Sequence, residues 1–264
     1  MTPARARAPR LGLLLALGGL LAGCGASTIP PVHSEPERLT YGRLALERRE
    51  YNVAIDLLKT YVANNAGGAE VDKAIELLGE AYLHVREWSL AQAEFERLLR
   101  DYPESDSAAS GSYQLGEALW GQSRGADFDQ DFTQKALDQW QTYLRSYPGH
   151  WLNAQAQLRV QRARERLASK LVDTGVLYVK LKRTGPARVY FQRVLDEYSD
   201  TAQAGNALLG LALADERDGK RDEALAELRE VEARFPGQVP ALRAAKERAR
   251  LEGHPPKAPR EKKK

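Results

Sequence analysis

Gly121, Ser123 and Gly125 stand in the order G-x-S-x-G, a spacing that can present a serine hydroxyl on a tight turn for nucleophilic attack. That chemistry needs a strand before the serine and a His and an acid downstream. Here the motif follows a stretch of helical periodicity, so the Gly- and Asp-rich residues 121–132 read as a loop. Asp127, Asp129 and Asp131 imitate the start of a calcium loop, but the sixth position is Phe132 where Gly is needed and the twelfth is Asp138 in place of Glu. The acids suit the start of the following helix better, where its dipole favours negative charge. His33, His84, His150 and His254 are isolated from one another, so no metal site is expected. No G-x-x-x-x-G-K phosphate loop occurs. The sequence therefore calls for no enzyme, no cofactor and no metal, and the remaining reactive side chain is the single thiol of Cys24.

The surroundings of Cys24 explain it. Arg5, Arg7 and Arg10 lead into the apolar residues 11–21, too short a run to span a bilayer, and then into small residues. Residues 1–23 are expected to be a signal peptide. Leu21-Ala22-Gly23-Cys24 resembles the lipobox of bacterial lipoproteins, in which the thiol receives a diacylglyceryl group and the chain is cut just before it. That resemblance implies lipidation of Cys24 and, with Gly25 after it, sorting to the outer membrane. Several acyl chains on one residue give stable anchoring where a single chain would not. Residues 24–37, with Pro30, Pro31 and Pro36, read as an extended tether.

Charge excludes another class. The formal net charge of +3 comes entirely from the three leader arginines, and residues 243–264 carry a local +6, which leaves −6 for residues 24–242. An acidic body argues against nucleic acid as a partner.

Beyond the tether the chain repeats itself. Ala54, Ala91, Ala136, Ala187 and Ala224 are each followed at plus 4 by a large apolar residue and at plus 7 by another. Those positions share one helical stripe. Pro or a substitute at plus 12 closes the helix. Gly42, Gly79 and Gly175 stand 12 residues before their alanines, on a preceding helix that the partner can approach closely. The alanines are 37, 45, 51 and 37 residues apart. The excess in the third repeat falls in the loop at 121–132, and that in the fourth predicts one continuous helix over 152–183, fourteen added residues being close to four turns.

This pattern resembles the tetratricopeptide repeat. It predicts an all-α solenoid of about five helical hairpins over residues 38–252, closed by a capping helix whose stripe is Leu242, Ala245 and Ala249. Residues 253–264 are expected to be a disordered basic tail. First helices of such repeats usually line the concave surface, which makes Tyr41, Tyr82, Tyr113 and Trp120 the candidates for a peptide groove.

The lipobox, the tether, the repeats and the order of the insertions are together similar to the BamD family, lipoproteins of the outer-membrane β-barrel assembly complex. Asp131, Thr133, Ala136 and Leu137 echo one family stretch, and Arg166, Leu167, Ala168, Tyr178, Lys182 and Arg183 another. Residues 64–71, at the end of the first repeat, depart from the family's aromatic-Pro-Phe-like turn. The resemblance implies a non-catalytic scaffold under the outer membrane, facing the periplasm. Its implied partners are the periplasmic part of a barrel-assembly outer membrane protein and unfolded outer membrane protein substrates. The alternative is another lipidated envelope scaffold, serving a secretin or cell division.

Overall fold

The computed structural model describes residues 30–253, which form eleven helices and no strand. Five antiparallel pairs follow one another: α1 (Glu35–Glu47) with α2 (Tyr51–Asn64), α3 (Val71–His84) with α4 (Trp88–Asp101), α5 (Ser107–Gln122) with α6 (Asp131–Ser146), α7 (Asn153–Lys180) with α8 (Thr184–Glu197), and α9 (Gln203–Arg217) with α10 (Arg221–Arg234). α11 (Val239–Gly253) closes the array. Substantial contacts join each helix only to those one or two places along the chain. This is the expected solenoid of five hairpins and a cap, in which each pair buries its apolar face by stacking on its neighbours.

The repeat positions make the core. All five alanines are fully buried, as are Leu58, Phe95, Trp140, Phe191 and Leu228 four residues on. A fully buried side chain of that size stabilises by about 1.5–3 kcal/mol. Gly42, Gly79 and Gly175 face Leu58, Phe95 and Phe191, and a β-carbon at any of them would lie within 2.8 Å of those side chains. The third repeat has the same device at Gly116, which the eight-residue insertion moves to twenty residues before its alanine. A β-carbon there would sit 2.3 Å from Trp140 Nε1, whose N–H donates to Tyr113 O at 3.2 Å. Alanine is the better helix former by about 1 kcal/mol, yet overpacking costs about 1–3 kcal/mol. Gly116→Ala should therefore lower the thermal midpoint, whereas Gly125→Ala, in open space, should leave it in place.

Four of the five hairpins use one turn. Arg49, Arg86, Lys182 and Gly219, each five residues before the repeat alanine, have φ of 62°, 63°, 60° and 78°. The next N–H then donates back to the first helix, as from Glu50 to Ala45 O at 2.8 Å and from Arg183 to Tyr178 O at 2.9 Å. Lys182 thus ends α7 before the predicted 183, and α7 still runs 28 residues without interruption. In the third pair, residues 123–130 replace this turn. Gly121 and Phe132, assigned to the loop from sequence, belong to α5 and α6. Asp131 lies in the first turn of α6, and its N–H donates to Asp129 Oδ1 at 2.9 Å.

Two boundaries and one helix face differ from expectation. α1 begins at Glu35, inside the predicted tether, because Ser34 Oγ accepts from Glu37 N–H and Pro36 sits in the first turn, where a missing N–H costs nothing. Asn64 and Asn65, at the atypical end of the first repeat, donate to Glu35 at 3.2 and 3.1 Å and hold that helix start. α11 packs through Pro240, Ala241, Ala244 and Leu251 rather than through Leu242, Ala245 and Ala249; Leu242 is 66% exposed. Small residues let α11 lie close to α9, with Pro240 against Gly205, and Arg248 forks onto Glu232 at 2.7 and 3.2 Å. That contact gives a reason for Glu232, the acid at an otherwise apolar repeat position. Gly253 ends α11; Cys24, the leader and residues 254–264 lie outside the described residues.

One half-buried acid should make the last repeats pH-sensitive. Glu227 of α10 is half-buried against Asp215 of α9, which pairs with Arg188, while Arg188 also reaches Asp218 at 2.7 Å. Burial first, then the Asp215 carboxylate, pushes Glu227 up to about 7 from an ordinary 4.5. The folded state holds this proton more tightly than the unfolded chain does, so stability falls as pH rises from 4.5 to 7. Glu227→Gln should gain about 1 kcal/mol over the parent at pH 8, the full linkage being discounted for partial exposure, and nothing below pH 4.5. Thermal melts at the two pH values measure it.

Candidate peptide-binding cleft

The fourteen residues added to α7 create a feature that a plain repeat lacks. The N-terminal half of α7 runs beside α5 and α6, where Arg159 forks onto Glu117 with two bonds of 2.6 Å. On the other side Arg164 holds Asp200 at 3.1 and 2.5 Å and Glu197 O at 2.7 Å. C-terminal to these braces the 123–130 loop folds over α7. Lys170 Nζ donates to Asp127 O at 3.0 Å, and Arg166 Nη1 donates to Ser123 Oγ at 2.6 Å and to Arg124 O at 3.3 Å. Ser123 also donates to Trp120 O at 2.7 Å. Its hydroxyl is thus committed to a helix end and a guanidinium, with neither His nor carboxylate bonded to it.

An open cleft of about 560 Å³ remains, lined by Trp120, Ala126, Arg162, Glu165, Arg166, Ser169 and Gln203. The Arg166 guanidinium lies 3.6 Å from the centre of the Trp120 ring, a cation–π contact. Trp120 in turn leans on the buried Trp140, their ring centres 6.0 Å apart. Burial without a compensating carboxylate holds the Arg166 guanidinium below its ordinary value, though an arginine stays charged at any physiological pH. The arrangement offers guanidinium groups beside an indole face, and no metal-binding cluster occurs among the described residues.

The four rings proposed from sequence part company here. Trp120 lines the cleft. Tyr41 is half-buried on α1, remote in the array. Tyr82 and Tyr113 are only 7% and 9% exposed and pack into the core, where burial raises both phenols. They serve inter-helix packing, the tight approach of neighbouring helices leaving their rings no open face. Sequence reasoning missed Arg162 and Arg166 as partners of Trp120, for the indole and the Arg166 guanidinium are 46 residues apart. The unusual length of the predicted helix over 152–183 was the available signal.

Comparison with known proteins adds four findings. A family described as YfiO, outer membrane lipoprotein, matches residues 34–230. The outer membrane protein assembly factor BamD of Caulobacter vibrioides is 25% identical over 209 residues, which cover 77% of this chain and 68% of that protein. Among solved structures, a thermophilic TPR protein of Thermus thermophilus is 19% identical with a TM-score of 0.37, over 84% of this chain and all of that one. A tetratricopeptide repeat protein of Parabacteroides merdae is 16% identical with the same score, over 83% and 73%.

Proposed function

The chain belongs to the YfiO family of outer membrane lipoproteins, and from that premise we propose that it is a non-catalytic scaffold in the assembly of β-barrel proteins into the outer membrane. One observation carries the reading: the family match runs from the cap of α1 into α10 and so takes in all of the repeat array but its last turn. The name of the Caulobacter relative points the same way. A solenoid of this kind acts by presenting surface, and the cleft beside α7 is built for contact. In this reading the protein sits on the periplasmic face, and its repeats hold the periplasmic part of a barrel-assembly outer membrane protein together with unfolded barrel substrates. No helix among the described residues is long and apolar enough to cross a membrane. The anchor in this reading is lipid on Cys24, outside the described residues.

Co-purification from detergent-solubilised outer membranes tests the assignment. A barrel-assembly outer membrane protein should come down with this chain; a secretin in its place would move the protein to another envelope complex. Cys24→Ser should appear in the soluble periplasmic fraction or remain unprocessed. A variant that fractionates with membranes as the parent does would refute the anchor.

A further inference from the structure

The cations of the cleft lack carboxylates. Across other helix interfaces Arg159 meets Glu117, Arg164 meets Asp200, and Arg248 meets Glu232. Arg166, by contrast, spends its hydrogen bonds on a hydroxyl and a backbone carbonyl. Arg162 is exposed and has no polar partner among the described residues. Glu165, the acid in the lining, is already committed: it accepts from Ala202 N–H at 3.0 Å and from Gln203 Nε2 at 2.8 Å. The loop acids Asp127 and Asp129 are not among the lining residues. The cleft therefore sets two guanidinium groups, one fixed on an indole and one without a polar partner, against the single carboxylate of Glu165, whose oxygens are taken up by neutral donors, and this leaves a surplus of positive charge for a ligand.

Apolar surface continues from it. Leu158, Arg162 and Ser169 lie at 100° per residue within a narrow line on α7, and Leu158 is 63% exposed. Trp151, 72% exposed, stands just ahead of the first turn. From there to Ser169 is roughly 27 Å at 1.5 Å per residue, the reach of about eight extended residues. Exposed large apolar side chains in line with unpaired cations are what a peptide contact needs: indole and leucine surface for its side chains, guanidinium forks for its carboxylates.

We propose that this face of α7 docks an extended segment of another protein in which acidic residues are flanked by large apolar ones. Arg162 and Arg166 take the carboxylates, and Leu158 and Trp151 take the apolar side chains. The proposal rests on the reading of this chain as a binding scaffold but on no component of the barrel-assembly complex.

The test uses the purified full chain in detergent and a fluorescein-labelled peptide of about ten residues alternating Glu with Leu and Phe. A twin peptide carries Gln for every Glu. The acidic peptide should bind about tenfold more tightly than its twin at low salt, a margin that shrinks as salt is raised. Arg162→Glu, on an exposed position that leaves the thermal midpoint unchanged, should abolish the margin. Arg166→Lys keeps the charge but loses the planar stack on Trp120 and should weaken the acidic peptide several-fold. Leu158→Ala should weaken both peptides alike. Equal binding of the twins, or an unchanged preference in Arg162→Glu, overturns the proposal. Displacement of the acidic peptide by short-chain phosphatidylglycerol below its micellar concentration, with no preference between the twins, would assign the cations to a lipid headgroup instead. Because the assay contains no assembly partner, its outcome is separate from that of the co-purification.

Discussion

Trp140→Ala is expected to cost about 3–5 kcal/mol of folding stability, the largest loss from any single side chain in the array. The indole is fully buried, it fills the space that Gly116 leaves open, and its N–H satisfies Tyr113 O. Truncation removes all three contributions at once: apolar burial, close packing and a buried hydrogen bond. It also removes the support under Trp120, so the cleft should lose its shape along with the core. Trp151→Ala is the matched comparison, since an indole 72% exposed contributes little to folding. Denaturant melts of both variants decide the point. A loss below about 1 kcal/mol at Trp140 would mean that the third repeat does not depend on its central ring.

A chain ending at Gly237 should melt roughly 10 °C below one ending at Gly253. The difference between them is α11, and its removal exposes the outer side of α10, where Leu228 and Val231 are now fully buried. It also strands Glu232 without Arg248, and Arg221 without Leu251 O, to which it donates at 2.6 Å. Uncovering two or three apolar side chains forfeits about 1.5–3 kcal/mol each, and at this chain length each kcal/mol moves the midpoint by about 2–4 °C. Equal midpoints would show that the last repeat needs no cap.

These two expectations mark how far sequence reasoning reaches. The alanine and the large residue four places on define a stripe through burial alone, a property that spacing carries directly, and all ten of those positions are buried. The continuous α7 was equally legible, because a helix extended by fourteen residues keeps its face in phase. Gly116 was hidden by the inserted loop, which breaks the constant offset that revealed its three counterparts. The register of α11 was misjudged because Leu242 is the more hydrophobic choice, while closeness of approach selects Ala241 and Ala244. For the groove, Tyr82 and Tyr113 share the helix class of Trp120, and only the arrangement of neighbours decides which ring meets solvent. The cleft depends on that arrangement too, since Arg166 of α7 meets Trp120 only because α7 lies against the end of α5.

The restriction of contacts to helices one or two places along has a consequence in time. Only short loops must close to form any interface, the regime in which helical domains fold in microseconds to milliseconds. The first hairpins can therefore fold before α11 has been delivered, and folding can spread along the array by templating each pair on the one before it. Amide protection should be graded in the same way, lowest at the two ends and highest around α5 to α8, where α7 ties four neighbours together through side chains. The cleft then lies in the slowest-exchanging part of the molecule, and a segment bound there meets a surface that is already in place.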